Sequence, residues 1–332
     1  MLPPPLPAEP KVAPGMYWAA VAAGFTYGLS MRFVFQHWLD TFFNTMTVGF
    51  LFLVPFALGF LTVFLGEAKG RWPWYARIFL PWIPALLSLG AALLLAWEGM
   101  ICIALWIPLC LIMTTLGSLI AVAVRGNLSS PHRQWSLAFC VMLPFMLTPL
   151  ETRIPAPVNI RTVETQIEIH ADPAVIWNQI TRVPPIGKEE QRKTVTQWMG
   201  FPRPIEATLS REGIGGIRHA TFEGNVLFVE TVNVWEPEKR LAFSIRADTT
   251  GIPATTLDEH ATVGGPYFDV LQGEYRIERI GPGSCVLHLS SRHRLSTHFN
   301  PYAGLWTEFI MRDVQQNILE VIQHRSEQRL KL

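Results

Sequence analysis

The side chains that could do chemistry in this sequence are few and scattered. His293 closes the series Leu287, Leu289, His293, whose positions share one parity. On a strand those positions share a face, because successive side chains point to opposite sides. A neutral histidine on an apolar face can bind a ligand or act as a general base near neutral pH. It equally suits a hydrogen-bonded core histidine or one at the strand's wet end. His219 and Glu223 lie four apart in an extended stretch, as pocket residues or as a solvent-facing pair. Asp258-Glu-His260 carries metal-ligand residue types, but adjacent residues on a loop rarely converge on one ion without further ligands. Neither a metal nor a cofactor is expected. Arg32 and Glu98 interrupt apolar runs. A charge at such a position can be functional within a bilayer, although Arg32 is expected to snorkel to a headgroup and Glu98 to sit in a hinge at the surface.

Other chemistries lack their signatures. No Ser-His-Asp grouping carries a nucleophile elbow. Gly213, Gly215 and Gly216 lie between strands, so no helix N-terminus would face a phosphate there. Cys102, Cys110, Cys140 and Cys285 have no CxxC spacing, and the polar half holds only the last of them, so it cannot form an internal disulfide.

The elements that must position these residues divide the chain in two. Residues 1–150 contain seven Lys/Arg and four Asp/Glu, leaving 20 of the 27 basic and 22 of the 26 acidic residues to the rest. Nothing resembles the basic stripe that nucleic acid requires, so no nucleic-acid partner is expected. Between Arg77 and Arg125 the only charged residue is Glu98. A spanning helix needs about 20 mostly apolar residues, and this run is long enough for two, hinged at Glu98-Gly99. A buried hairpin of a soluble protein would show a polar face, which this one lacks. Further spans are expected from about Tyr17, over Thr47–Leu65 and, more weakly, over Trp135–Leu150, which is short for a straight crossing. Residues 16–150 therefore read as a transmembrane domain of about five helices, after a proline-rich tail over 1–15 expected to be disordered. A signal peptide at this end would need a positive n-region, which is nearly absent.

Lys69, Arg71, Arg77, Arg125 and Arg133 fall in two loops separated by two spans, so both loops face the cytoplasm by the positive-inside rule. If the fifth segment crosses, the polar half lies outside. If it lies on the surface, the polar half is cytoplasmic. The expected location is the cell inner membrane, multi-pass, with the C-terminal domain periplasmic or extracellular and the lipid bilayer as the first partner.

A proline-stiffened linker is expected over 151–161. Val163–Ile169 alternates as a half-buried strand does. Asp172 and Pro173 then fit the N-cap and first position of a helix. After a loop over Val183–Pro204, strands are expected at Ile205–Arg211, Ile217–Glu223, Leu227–Trp235, Arg240–Arg246, Phe268–Ile280 and Cys285–Leu295. A long polar loop, Ala247–Pro266, interrupts them. A helix over Pro301–Gln328 closes the chain, with Trp306, Ile310, Val314, Ile318 and Val321/Ile322 along one face. This order predicts an α+β domain in which an antiparallel sheet curls around a helix.

Several stretches resemble one superfamily. Ile169-His-Ala-Asp-Pro-Ala-Val-Ile-Trp177 is similar to the first strand–helix junction of the START-like, polyketide cyclase-like (SRPBCC) helix-grip proteins. Gly213-Ile-Gly-Gly-Ile-Arg218 resembles their glycine-rich turn, and Val234-Trp-Glu-Pro-Glu-Lys-Arg-Leu-Ala-Phe243 their next hairpin. The closing helix, with Trp306 and a late Glu327, fits as well. The resemblance covers about residues 160–328, with 162–328 as the helix-grip domain, and no family catalytic set maps onto this chain. The fold class it implies is a multi-pass α-helical membrane domain plus an α+β helix-grip domain, a curved antiparallel sheet around a long C-terminal helix.

That fold implies a cavity between sheet and helix, the default place for a ligand. By strand parity and helix face, Phe243, Ile245, Tyr275, Ile277, Leu289, His293, Trp306 and Ile310 are the candidate ligand-binding residues, or else plain core. Arg292 and Arg294 should point outward. The leading reading is a membrane-anchored module that binds a hydrophobic small molecule or lipid. One alternative is an enzyme of cyclase or hydratase type using the same cavity. The other is a membrane-tethered interaction module, which paired charges within the helical bundle would favour.

Overall fold

The computed structural model describes residues 14–35, 44–248 and 262–328. Most of the expected tail and Asp258-Glu-His260 lie outside the described residues. The chain forms two compact units that divide at Pro155–Ala156, with Gly99–Cys102 grouped with the second.

The first unit contains five helices among its described residues: α1 (Pro14–Phe33), α2 (Gly49–Gly66), α3 (Trp74–Leu94), α4 (Met100–Asn127) and α5 (Ser130–Glu151). Of these, α2, α3 and α4 are long and apolar enough to cross a membrane. The expected first and fifth spans, α1 and α5, are helices but less apolar. α5 begins at Ser130, before the expected Trp135, and takes in the polar turn with His132 and Arg133. α3 is interrupted at Leu80-Pro81, where proline lacks the N–H that would continue the ladder. α2 and α4 meet backbone to backbone. A Cβ at Gly59 would stand 1.9 Å from the Thr114 carbonyl oxygen, and one at Gly117 would stand 1.9 Å from that of Phe56. Small residues at a helix–helix contact allow this close approach of the two backbones. Glu67 folds the connection after α2, accepting from Trp72 N at 3.1 Å and from Arg77 Nε at 2.6 Å.

Among its described residues the second unit has one antiparallel sheet, three α-helices and a short 3-10 turn at Glu223–Asn225. The strands are β1 (Val158–Ile169), β2 (Pro204–Leu209), β3 (Ile217–Phe222), β4 (Val226–Glu236), β5 (Arg240–Asp248), β6 (Phe268–Gly281) and β7 (Ser284–Ser296). Their order across the sheet is β1-β7-β6-β5-β4-β3-β2. β1 begins at Val158, inside the stretch expected to be linker, because it finds a full-length partner in β7 from Val158↔Ser296 onward. α6 (Pro173–Thr181) follows β1, and Asp172 holds its N-cap position without a side-chain capping bond. The short α7 (Val195–Trp198) is closed by a capping box between Thr194 and Gln197. Between β2 and β3 the chain reverses at Gly213 and Gly215, whose φ values of +91° and +79° suit glycine.

The last helix, α8 (Asn300–Gln328), packs against β1 and β7. Its inward stripe is not the one its apolar residues suggest. Gln315, Leu319, Ile322 and Ser326 are buried, whereas Trp306, Ile310, Val314 and Ile318 are only half-buried. The stripe turns because Gln315 is satisfied inside. Its amide donates to Val163 O at 3.1 Å and to Ser291 Oγ at 2.9 Å, and its oxygen accepts from Thr165 Oγ1 at 2.7 Å. A polar residue with all its partners can occupy a core position that a hydrophobic pattern assigns elsewhere.

Candidate ligand-binding site

The strand register decides what looks inward. Arg218 lies opposite Glu230, and Glu230 opposite Ile245. Leu241 and Phe243 of β5 face Tyr275 and Gly273 of β6, and Tyr275 and Ile277 face Leu289 and Leu287 of β7. Ser291 and His293 face Val163 and Arg161 of β1. Directly opposed residues share a side of the sheet, so these positions share the inner face on which α8 lies.

Most of that face is apolar and closed. Phe243, Tyr275, Ile277 and Leu289 join Leu241, Leu287 and residues of α6 and α8 in one buried cluster, with Ile245 packed against its edge. The Phe243 ring fills the place of an absent side chain: a Cβ at Gly273 would lie 2.6 Å from it. Of the eight sequence candidates, Trp306 and Ile310 stand apart from this cluster. Trp306 packs edge-on against Phe309, ring centres 6.1 Å apart.

Two polar stations interrupt the apolar surface. The first was not anticipated. Arg218 Nη1 donates to Glu230 Oε2, with the two residues only 4% and 5% exposed. The guanidinium also bonds the Tyr275 hydroxyl and lies 5.5 Å from the Phe243 ring centre. Burial opposes charge on Arg218, yet Glu230 and Tyr275 hold its guanidinium above the ordinary value. Burial also pushes the Glu230 carboxyl up, with Arg218 pulling against it. Burial pushes the Tyr275 hydroxyl up to about 12, so it keeps its proton at neutral pH.

The second station is His293. It is 0% exposed, and neither ring nitrogen has a hydrogen-bond partner among the described residues. The Phe268 ring lies 5.6 Å away, centre to centre. Burial first, then the charge of Arg161, lowers the His293 pKa, while Glu308 of α8 works the other way. The imidazole is therefore neutral near pH 7, with one nitrogen able to donate and one to accept. Glu230 on β4 and His293 on β7 are three strands apart, about 14 Å at the usual strand spacing, so the stations are separate.

The remaining sequence candidates lie outside this face. His219 is exposed, and Glu223, 3.8 Å from Arg203, forms no pair with it. Arg292 is exposed, and Arg294 donates to the carbonyls of Gly265 and Pro266. Among the described residues no group of three His, Cys, Asp or Glu side chains is placed to hold a metal.

The first unit has a polar station of its own. Arg32 and Glu98 pair at 2.8 Å with side chains 4% and 8% exposed, and Arg32 also donates to Trp97 O. Glu98 sits in the expected turn between α3 and α4, but the expected snorkelling of Arg32 is corrected, because its guanidinium is buried against Glu98. A cavity of about 30 Å³ adjoins the pair, lined by Gly28, Ser88, Trp106 and Cys110 among others. That is room for one water molecule.

No family model and no curated protein matches the chain. Solved structures do. A START superfamily protein from Mycobacterium smegmatis aligns at 12% identity and a TM-score of 0.34, covering 51% of this chain and 98% of that one. An aromatase/cyclase from a Streptomyces species aligns at 12% identity and 0.34, covering 52% and 96%. Norcoclaurine synthase from Thalictrum flavum, in complex with dopamine and hydroxybenzaldehyde, aligns at 14% identity and 0.32, covering 52% and 88%. Each alignment covers about half of the chain. The likeness is one of fold and carries nothing about activity; the rest of the chain is unrecognised.

The residues missed from sequence share a feature. Arg161, Arg218, Glu230 and Gln315 are polar at inward positions and were passed over by an apolar pattern. A signal existed for one pair: the tight connection at Glu223–Asn225 sets the β3–β4 register, which places Arg218 beside Glu230.

Proposed function

We propose that the chain is a membrane-anchored START-like protein that holds a hydrophobic small molecule or lipid between the sheet and α8. α2, α3 and α4 would anchor it in the cell inner membrane, with the START-like domain on the outer side. Tethering raises the effective concentration of ligands that partition into the same membrane. The observation that carries the reading is His293: a fully buried imidazole on the inner face whose ring nitrogens have no hydrogen-bond partner among the described residues. Buried polar atoms are nearly always satisfied, and one that is not calls for a partner outside the chain. The test is native mass spectrometry of the full-length protein released from detergent. The reading expects a bound apolar adduct, displaced when excess lipid of another mass is added. A bare protein that takes up no offered lipid contradicts it.

A second reading, a cyclase- or hydratase-type enzyme in the same place, is favoured by the pairing of His293 with Arg161 on neighbouring strands. A general base beside a fixed cation can remove a proton and stabilise the resulting anion. It expects His293→Ala to abolish turnover of a bound carbonyl compound. Unchanged turnover would remove His293 from the chemistry.

A further inference from the structure

Arg161 and His293 are directly opposed on β1 and β7 and face the first turns of α8. The Arg161 guanidinium lies against the helix backbone at Gly304, where an added Cβ would stand 2.2 Å from Nη1 and 2.3 Å from Cζ. Only glycine at that position lets the flat guanidinium lie under the helix. Other inward arginines of this domain have acceptors: Arg218 has Glu230 and Tyr275. Arg161 has neither a hydrogen-bond acceptor nor an ion-pair partner among the described residues. The carboxylate that α8 brings nearby, Glu308, is bound to Arg312 at 3.0 Å instead. Beside this half-buried cation stands His293, fully buried with both ring nitrogens unpartnered.

We propose that Arg161 and His293 form a carboxylate-binding subsite, so that the ligand of the START-like domain is an amphipathic acid: a carboxylate on an apolar body. The chemistry favours a monoanion. A single guanidinium offers two parallel N–H donors, matching the two oxygens of a carboxylate, and a neutral imidazole adds one more donor without adding charge. A dianionic phosphate would bring more negative charge than one arginine can balance, with Glu308 already nearby. This inference rests on the proposed ligand-binding function and specifies its ligand class.

The experiment is equilibrium dialysis of the full-length protein in maltoside micelles at pH 8, against empty micelles of the same detergent. The probes are decanoate and decanol, which share a chain and differ in the head. The subsite predicts that decanoate binds tighter than decanol by about tenfold, the lower end for a hydrogen bond to a charged group. Arg161→Gln removes that preference, bringing the ratio of decanoate to decanol binding down to about one. Arg161→Lys, which keeps the charge but loses the fork, retains part of it. Equal binding of both probes by the unaltered protein overturns the subsite and leaves the hydrophobic-ligand reading standing. A preference that survives Arg161→Gln in folded protein also overturns the subsite. No binding of either probe beyond the empty micelle overturns both.

Discussion

Each half of the molecule buries one arginine–glutamate pair, and the two pairs are built differently. In the helical unit Arg32 reaches Glu98 across 66 positions of sequence, from the end of α1 to the turn after α3. In the sheet domain Arg218 and Glu230 are neighbours on one hairpin. The first pair ties together two segments of the helical unit that are distant in sequence. The second is locked by strand register and embedded with Tyr275 and Phe243 in a network. Two buried charges are costly to desolvate, so neither pair is a simple gain in stability. Each instead makes one arrangement correct and its alternatives expensive.

The comparison is most easily broken in the sheet domain. Arg218→Met leaves Glu230 buried without its counter-charge and should destabilise the domain by about 3–5 kcal/mol. The double change Arg218→Met with Glu230→Leu should recover most of that loss. Hydrogen exchange at β3 and β4 amides in the full chain reads both, and a double variant as unstable as the single one would contradict the network. In the helical unit the larger sensitivity should be steric. Gly117→Leu drives a side chain into the Phe56 carbonyl and should cost about 1–3 kcal/mol or more, seen as a lower midpoint of thermal unfolding in detergent. Gln315→Leu empties three hydrogen bonds between α8 and the sheet and should cost about 1–3 kcal/mol. A neutral outcome would mean that α8 is held by its apolar residues alone.

The smallest effect concerns pH. The folded protein holds His293 below the histidine value of about 6.5 expected unfolded. The unfolded chain therefore takes up the proton first as pH falls. Stability from this group is full above about 6.5 and is lost as pH drops below it toward the folded value. Arg161 from β1 reinforces the shift and Glu308 from α8 opposes it. Between pH 7.5 and 5.5, His293→Gln should lose less stability than the unaltered protein, by on the order of 1 kcal/mol.

Much of the fold was legible because its signals are local. The stretch between Arg77 and Arg125 shows its apolar character at any window size, and the strand alternation around Val163, Leu241 and Leu287 follows from a period of two. What was not legible depends on contacts far apart in sequence. Arg32 looks like an interfacial residue until Glu98 is folded back to it. Gln315 looks like a surface residue until Val163, Thr165 and Ser291 surround its amide. The site was half legible. Parity found His293, but its neighbour Arg161 is visible only once β1 is paired with β7, which end to end are separated by most of the domain. The stretch read as linker from Val158 onward failed for the same reason, since its partner strand is the last one.

The central proposal is that the sheet domain, and not the helical unit alone, encloses a hydrophobic ligand. A fatty acid carrying a photoreactive diazirine in its chain, added to the full-length protein in micelles and irradiated, tests this most directly when the crosslinked peptides are sequenced. The account predicts adducts in β5, β6, β7 and α8, competed by unlabelled fatty acid. Adducts confined to α1–α5, or none that competition reduces, would contradict it.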